Sequence, residues 1–272
     1  MSQAQIDTLL ERLAREPAVL VAVESTQGSA PREAGAWMGV FADRAVIGTV
    51  GGGHLEFAAI DHAQRALAGE GLAANRRFAL GPSLGQCCGG VVHLCFERLQ
   101  AADAGALRAR LEAAADAQRL PVALFGGGHV GHAIVNALLP LPVRVHWIDS
   151  RDEIFPSELP RWVACEHSAP VQAAVADIAA PSRVLIMSFS HAEDLDIVAA
   201  CLQRRREHGA LPFIGLIGSK SKWAAFRHRL EARGFTAAEL DQVTCPIGVA
   251  GVVGKEPDVI AAAVAAQLMQ WR

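Results

Sequence analysis

The chain has no basic run. Across its 272 residues, 25 Lys and Arg stand against 28 Asp and Glu, for a net charge of −3. The densest cationic cluster, Arg204-Arg205-Arg206, falls in a helical pattern, where a solvated face accounts for it. A protein that binds nucleic acid by neutralising phosphates is therefore not expected. Cysteine is also scarce. Six, at positions 87, 88, 95, 165, 201 and 245, are too few and too scattered for a disulfide framework, which points to a reducing compartment. The N-terminal MSQAQIDTLLERLARE threads charges through a periodic apolar pattern, so it is expected to be an amphipathic helix and not a secretory leader. Uncharged stretches of membrane length are nearly absent. Pro121–Val143 is long enough by count, but four glycines, three prolines and two histidines make it a poor span. The expectation is a cytoplasmic protein with no membrane partner.

Apolar residues make up 51% of the chain, enough for a large core, and the length suits two domains. The high apolar content also favours a homodimer. Ile6, Leu9, Leu10 and Leu13 recur at helical spacing. Ala18–Glu24 is valine-rich and strand-like, as expected of a strand buried on both faces. A turn-rich stretch, Ser25–Gly35, precedes two further strands at 36–42 and 44–50. The second leads through Gly51-Gly52-Gly53-His54-Leu55-Glu56 into a helix expected at Phe57–Ala68. A glycine turn between a strand and a helix start presents outward N–H groups and can hold an anion; a plain tight turn is the alternative. Strands are expected at Asn75–Leu80 and Val91–Arg98, and an alanine-rich helix over 100–119.

The second half is a mostly parallel α/β pattern. Strand Pro121–Phe125 runs into Gly126-Gly127-Gly128-His129-Val130-Gly131, a helix at 132–139, and strand Val143–Ile148 ending at Asp149. The acid lies 21 positions after Gly128, and this strand–turn–helix–strand–acid order turns a weak glycine pattern into a Rossmann fingerprint. Gly126, Gly128 and Gly131 would serve the turn, the approach of a diphosphate and close helix packing. The fingerprint admits a nucleotide or NAD(P), or a scaffold that keeps only the fold. Strands Arg183–Met187 and Phe213–Ile217 follow. Each ends in polar residues, Ser188–Asp194 and Gly218–Lys222, at the end of a parallel strand where such sheets bind ligands. Lys220 and Lys222 can be read as anion holders or as a solvated helix start. Gly254-Lys255 is not a P-loop, because Glu256 stands where Ser or Thr is needed. A last helix is expected from Pro257 to Met269.

The most unusual stretch is Leu80–Val92, LGPSLGQCCGGVV, with adjacent Cys87 and Cys88, four glycines and no charge. Its Gly81-Pro82-Ser83-Leu84-Gly85 satisfies the nucleophile-elbow pattern, but Gln86–Gly90 is a poor helix former and the elbow needs a helix there. A zinc site from Cys87, Cys88, His93 and Cys95 lacks the spacing of closed structural sites. A soft-metal ligand or an activated thiol remains, since thiolates form beside cations and outward N–H groups. Gly89, Gly90, Arg32 and His54 could supply that setting.

Several motifs resemble one family. Gly28–Gly35 (GSAPREAG), Gly51–Glu56 and Leu80–Gly90 resemble the N-terminal domain of the xanthine dehydrogenase accessory factor family, XdhC. The fingerprint with Asp149, Ser190–Asp194, Ile214–Ser219 and Ile247–Pro257 resemble its Rossmann-type C-terminal domain. The resemblance implies an N-terminal α+β domain, residues 1–118, followed by a Rossmann-like domain, residues 119–272, with a mostly parallel sheet. It also implies a molybdenum-cofactor (molybdopterin) chaperone rather than a turnover enzyme. Such a protein holds the cofactor while a cysteine desulfurase supplies its sulfido ligand, and passes it to apo xanthine dehydrogenase. On that reading Cys87 and Cys88 face the metal, as thiolates suit a soft metal–sulfur centre. Gly89, Gly90, Arg32, His54 and Glu56 are their neighbours in the cofactor site. Ser188-Phe189-Ser190-His191 departs from a Thr-His-type sequence expected there, with His191 left to fill the polar role. Two other functions fit the residues: an NAD(P)-dependent oxidoreductase built on Gly126–Gly131 and Asp149, and a scaffold bridging desulfurase and dehydrogenase.

Overall fold

The structure, a computed structural model, describes residues 3–80, 89–209 and 211–270. The chain divides into two compact units, Met1–Ala117 and Gln118–Arg272.

The first unit is a five-stranded antiparallel sheet with helices on both faces. Helix α1 (Gln3–Leu13) leads into β1 (Ala18–Gln27), β2 (Trp37–Phe41), β3 (Val46–Gly48), α2 (Gly53–Leu67), β4 (Asn75–Ala79), β5 (Val91–Leu99) and α3 (Ala104–Ala117), with strand order β3-β2-β1-β5-β4. Side chains alternate across a strand. Val19, Val21 and Val23 of β1 therefore pack with Leu55, Ala59 and Ala63 of α2, while Ala18 and Leu20 pack with Ile6, Leu9 and Leu13 of α1 and Leu107 of α3. A strand covered on both faces needs apolar residues at successive positions, which is why this central strand shows a run and not an alternation. On β5 the side chains alternate: Val92, Leu94 and Phe96 are buried, and Val91, His93 and Cys95 are half-buried. Helix α2 begins at Gly53, four residues before the expected Phe57. Gly52 caps the helix and Gly53 opens it, and a carboxylate further along holds the turn before it.

The second unit has β6 (Leu120–Phe125), α4 (His129–Leu138), β7 (Val143–Asp149), β8 (Val163–His167), β9 (Arg183–Ile186), α5 (His191–His208), β10 (Phe213–Leu216), α6 (Lys220–Ala232), α7 (Ala237–Leu240), β11 (Val243–Thr244) and α8 (Pro257–Met269). All its strand pairings are parallel, in the order β11-β10-β9-β6-β7-β8. The order reverses between β6 and β9, the point at which open α/β sheets hold ligands beyond the strands' carboxyl ends. Ile134, Leu138, Val264 and Leu268 of α4 and α8 cover one face around Trp147. Leu195, Val198, Leu202 and Phe226 of α5 and α6 cover the other. The uncharged stretch Pro121–Val143 is thus β6, a glycine turn and α4. Among the described residues no helix is long and apolar enough to cross a membrane.

Candidate functional site

Three glycine-rich segments of the first unit converge. A β-carbon on Gly28, just past β1, would lie 3.3 Å from Gly90 Cα; one on Gly90 would overlap the Ser29 carbonyl and stand 2.6 Å from that of Gln27. Farther along the same loop, Pro31 and Arg32 rest on Gly51, where a β-carbon would come 2.5 Å from Pro31 Cγ and 3.5 Å from Arg32 Cγ. Gly51 also has φ +130°, a conformation open to glycine and strained for other residues. The Gly28–Gly35 loop therefore runs from the start of β5 to the turn before α2. The Leu80 N–H donates to the Gly90 carbonyl at 2.8 Å, which ties the end of β4 to the same place.

Glu56 holds the turn before α2. Its Oε2 accepts from Thr49 Oγ1 at 2.5 Å and from the N–H groups of Val50 and Gly52, each at 3.1 Å, while the Gly51 N–H donates to Thr49 Oγ1 at 3.0 Å. This carboxylate serves as a cap for its own turn, a role favoured at a helix N-terminus. Gly53, His54 and Leu55 open α2, so their N–H groups have no upstream carbonyl within the helix. A β-carbon on Gly52 or on Gly89 would meet nothing within 4 Å beyond its chain neighbours. Arg32 and His54 are both exposed. The structure brings Arg32 to Gly51, His54 to the first turn of α2, and Gly90 to the Gly28 loop. Cys87 and Cys88 lie outside the described residues; Gly89 is the next residue in the chain.

Sequence reasoning missed Thr49, which has no motif to flag it, and Phe57. The Phe57 ring is 65% exposed one turn into α2, with the Arg44 guanidinium 5.7 Å from its centroid. Among the described cysteines, Cys201 is wholly buried, and burial pushes its thiol up to about 12. Burial also raises Cys165 and Cys245, for the latter against a lowering effect of Lys222. These shifts are opposite to those of an activated thiol. Among the described residues no group of three or more His, Cys, Asp and Glu side chains could hold a metal ion.

In the second unit the fingerprint glycines divide their work. A β-carbon on Gly126 would run into the Met187 carbonyl, and one on Gly131 into the Gly126 carbonyl, which also accepts from Trp147 Nε1 at 2.9 Å. Both positions are required by packing. Gly128 caps α4 and has nothing within 4 Å of its missing β-carbon. Asp149, 2% exposed at the end of β7, is fully engaged. Its carboxylate accepts from the Gly127 N–H (2.5 Å), the Arg151 N–H (2.9 Å), Arg151 Nε (2.8 Å) and Arg151 Nη2 (2.9 Å). Burial pushes its pKa up, but the Arg151 side chain and the two N–H groups outweigh that and hold it below the ordinary value.

Arg151 lies 4.8 Å from the ring centroid of Phe189, which is 67% exposed just past β9. The expected Ser188–Asp194 cluster is taken up by the start of α5. Ser190 caps the helix by accepting from the Glu193 N–H, and Glu193 accepts from Ser150 Oγ at 2.7 Å and the Phe189 N–H at 3.2 Å. Buried Asp194 accepts from Ser188 N–H and Oγ and from Lys222 Nζ at 2.6 Å. Lys222 is therefore a structural cation, whereas Lys220 is exposed. His191 is exposed on the first turn of α5, its ring 6.3 Å from that of Phe226.

These features define a two-part α/β protein, an antiparallel glycine-loop unit followed by a Rossmann-type unit. The chain belongs to the XdhC family: the model for the XdhC Rossmann domain matches residues 122–268, and that for the XdhC and CoxI family matches residues 12–78. It is 26% identical over 265 residues to an uncharacterised protein of Escherichia coli K12, YqeB, covering 93% of this chain. The chain spans 43% of the length of that relative. A crystal structure described as a xanthine dehydrogenase from Bacillus halodurans superposes with a TM-score of 0.70 at 19% identity, covering 99% of this chain and 95% of that one. At that identity the likeness shows a shared fold.

Proposed function

We propose that this chain is an accessory protein of xanthine dehydrogenase. It binds the molybdenum cofactor, shields it during sulfuration by a cysteine desulfurase, and delivers it to the apoenzyme. Family membership supports the accessory role. The observation that carries the cofactor reading is the convergence of Gly28–Gly35, Gly51–Gly53 and Gly89–Gly90 in the first unit.

The described residues suit the organic part of such a group. The space where Gly52 and Gly89 lack a β-carbon allows close approach, the first N–H groups of α2 favour a phosphate, and Arg32 adds an exposed cation beside them. Cys87 and Cys88, from their chemistry, would face the metal, and the cofactor when bound would supply a soft molybdenum–sulfur centre. His54 lies on the turn that would meet the phosphate. Glu56 keeps that turn in shape and is spent on it.

The oxidoreductase reading has less support. Asp149, the acid that would take a ribose hydroxyl, already accepts four hydrogen bonds from its own chain. A nucleotide there would have to displace Arg151.

The test is mass analysis of what co-purifies with the chain from a host that makes molybdopterin. The expected result is retained pterin in the wild type and its loss in Cys87→Ala/Cys88→Ala, with transfer to apo xanthine dehydrogenase falling in parallel. Pterin-free wild-type protein, or undiminished transfer by the double variant, would overturn the proposal.

A further inference from the structure

β4 stands at one end of the first unit's sheet, paired with β5 on one side and with no strand on the other. The register fixes which of its backbone groups are spent. The Leu80 N–H donates to the Gly90 carbonyl at 2.8 Å and the Phe96 N–H to that of Ala74 at 2.6 Å. Hydrogen-bonded pairs recur at every second residue of an antiparallel ladder, so between these two bonds Arg76 and Phe78 are the residues that bond to β5. The N–H and C=O groups of Asn75, Arg77 and Ala79 point outward. All three residues are exposed, and no hydrogen bond to their outward groups forms among the described residues. Such a row is a template for another strand.

The side chains decide which strand fits. Arg77 lies in a cross-strand row with His93 of β5 and Ser25 of β1, whose hydroxyl is 3.1 Å from His93 Nδ1. No acid stands in this row. Arg76, on the opposite face, has its guanidinium carbon 5.3 Å from the Phe78 ring centroid. Among the described residues neither arginine forms an ion pair. Charged side chains on an edge repel other strands, and here they do so selectively. The antiparallel register that overlaps all of β4 with a second copy sets Arg77 against its own copy, and like charges directly opposite are destabilising. A strand with carboxylates at those positions gains what self-pairing loses.

We propose that β4 is a docking edge for an extended acidic segment of a partner protein, which joins the sheet as an additional antiparallel strand. One carboxylate faces Arg77, and the next residue, on the opposite face, places a second carboxylate at Arg76. The residue before the first carboxylate is apolar and falls beside Phe78. The strand ends at the Leu80–Gly90 bond, close to the glycine junction, but the proposal does not depend on the cofactor reading.

The experiment titrates the full chain into a fluorescein-labelled peptide, Thr-Val-Glu-Glu-Thr, read by anisotropy, and follows amide exchange by NMR. The expected result is saturable binding, about fivefold weaker when the first glutamate is replaced by lysine, with that preference reversed in Arg77→Glu. Arg77 is exposed, so the variant keeps the fold. N-methylation of the first glutamate removes the N–H that donates to the Arg77 carbonyl and should weaken binding about tenfold, whereas N-methylation of the second, whose N–H faces solvent, should cost far less. The Asn75, Arg77 and Ala79 amides should exchange fast in the chain alone and slow on saturation. Absence of binding, equal binding of the lysine peptide, indifference to the first N-methyl group, or slow exchange of those three amides before peptide is added would each overturn the proposal. Slowing of the same amides by a rise in the concentration of the chain alone would make a second copy the occupant and overturn it as well.

Discussion

Asp149 shows how one side chain can satisfy a sequence pattern and yet do a different job. The 21-residue spacing from Gly128 and the preceding apolar strand made the acid legible. Its partner did not show, because Arg151 is only two residues away and nothing in a sequence tells whether such an arginine turns inward. In the structure the pair fastens the end of β7 to the glycine turn through Gly127. Breaking a buried charge pair costs about 3–5 kcal/mol, and the one-third exposure of the Arg151 side chain places Asp149→Asn at the lower end, about 3 kcal/mol, read by urea denaturation at neutral pH. The pH dependence has a definite sign. The folded pKa is depressed below the unfolded value of about 4, so the contribution is complete above that value and disappears as pH falls through the folded pKa. The stability gap between wild type and Asp149→Asn should therefore narrow under acid. A gap that stays constant down to about pH 2 would show that the carboxylate's charge contributes nothing.

Among the elements, α1, α4, α8 and the central strands were legible because each has its own periodicity or run, whereas α7, four residues long, was not expected. β8 was not, since on this edge strand only Val163 is buried and the pattern Val-Ala-Cys-Glu-His has no clean alternation. The early start of α2 was hidden as well, because three glycines are poor helix formers and the capping role of Glu56 depends on Thr49, seven residues back. The convergence of the glycine segments could not be read at all. It follows from the pairing of β1 with β5, a contact across some seventy residues of chain. It supports a paired test in neighbouring glycines. Gly90→Ala places a methyl group on the Ser29 and Gln27 carbonyls, backbone that cannot move aside cheaply, and should cost about 2–4 kcal/mol in thermal or urea unfolding. Gly89→Ala adds its methyl to open space and should stay within about 0.5 kcal/mol of wild type. If the cofactor lies against this backbone, Gly89→Ala should nevertheless lower pterin retention several-fold. Equal stability of the two variants would contradict the close packing of Gly28 on Gly90.

At the scale of the whole molecule, each unit has cores of its own: Val19, Met38, Leu55 and Leu94 belong to one in the first, Phe125, Ile186, Leu195 and Ile214 to one in the second. The division falls at Ala117–Gln118, at the end of α3. Units with separate cores should fold separately, so fragments 1–117 and 118–272 should each show a cooperative thermal transition. The described groups assigned to the cofactor, Arg32, the Gly51–His54 turn and Gly89–Gly90, all come from the first unit, as do Cys87 and Cys88 in the sequence. The consequence is an asymmetry: fragment 1–117 should retain molybdopterin when isolated from a host that makes it, and fragment 118–272 should not. Retention is measured by mass analysis beside the intact chain, with thermal unfolding confirming that both fragments are folded. If folded 1–117 came away empty while the intact chain kept its pterin, the second unit would have to supply part of the site. The fully engaged Asp149 would then be the first residue to re-examine, because a ligand reaching the fingerprint must first compete with Arg151 for it.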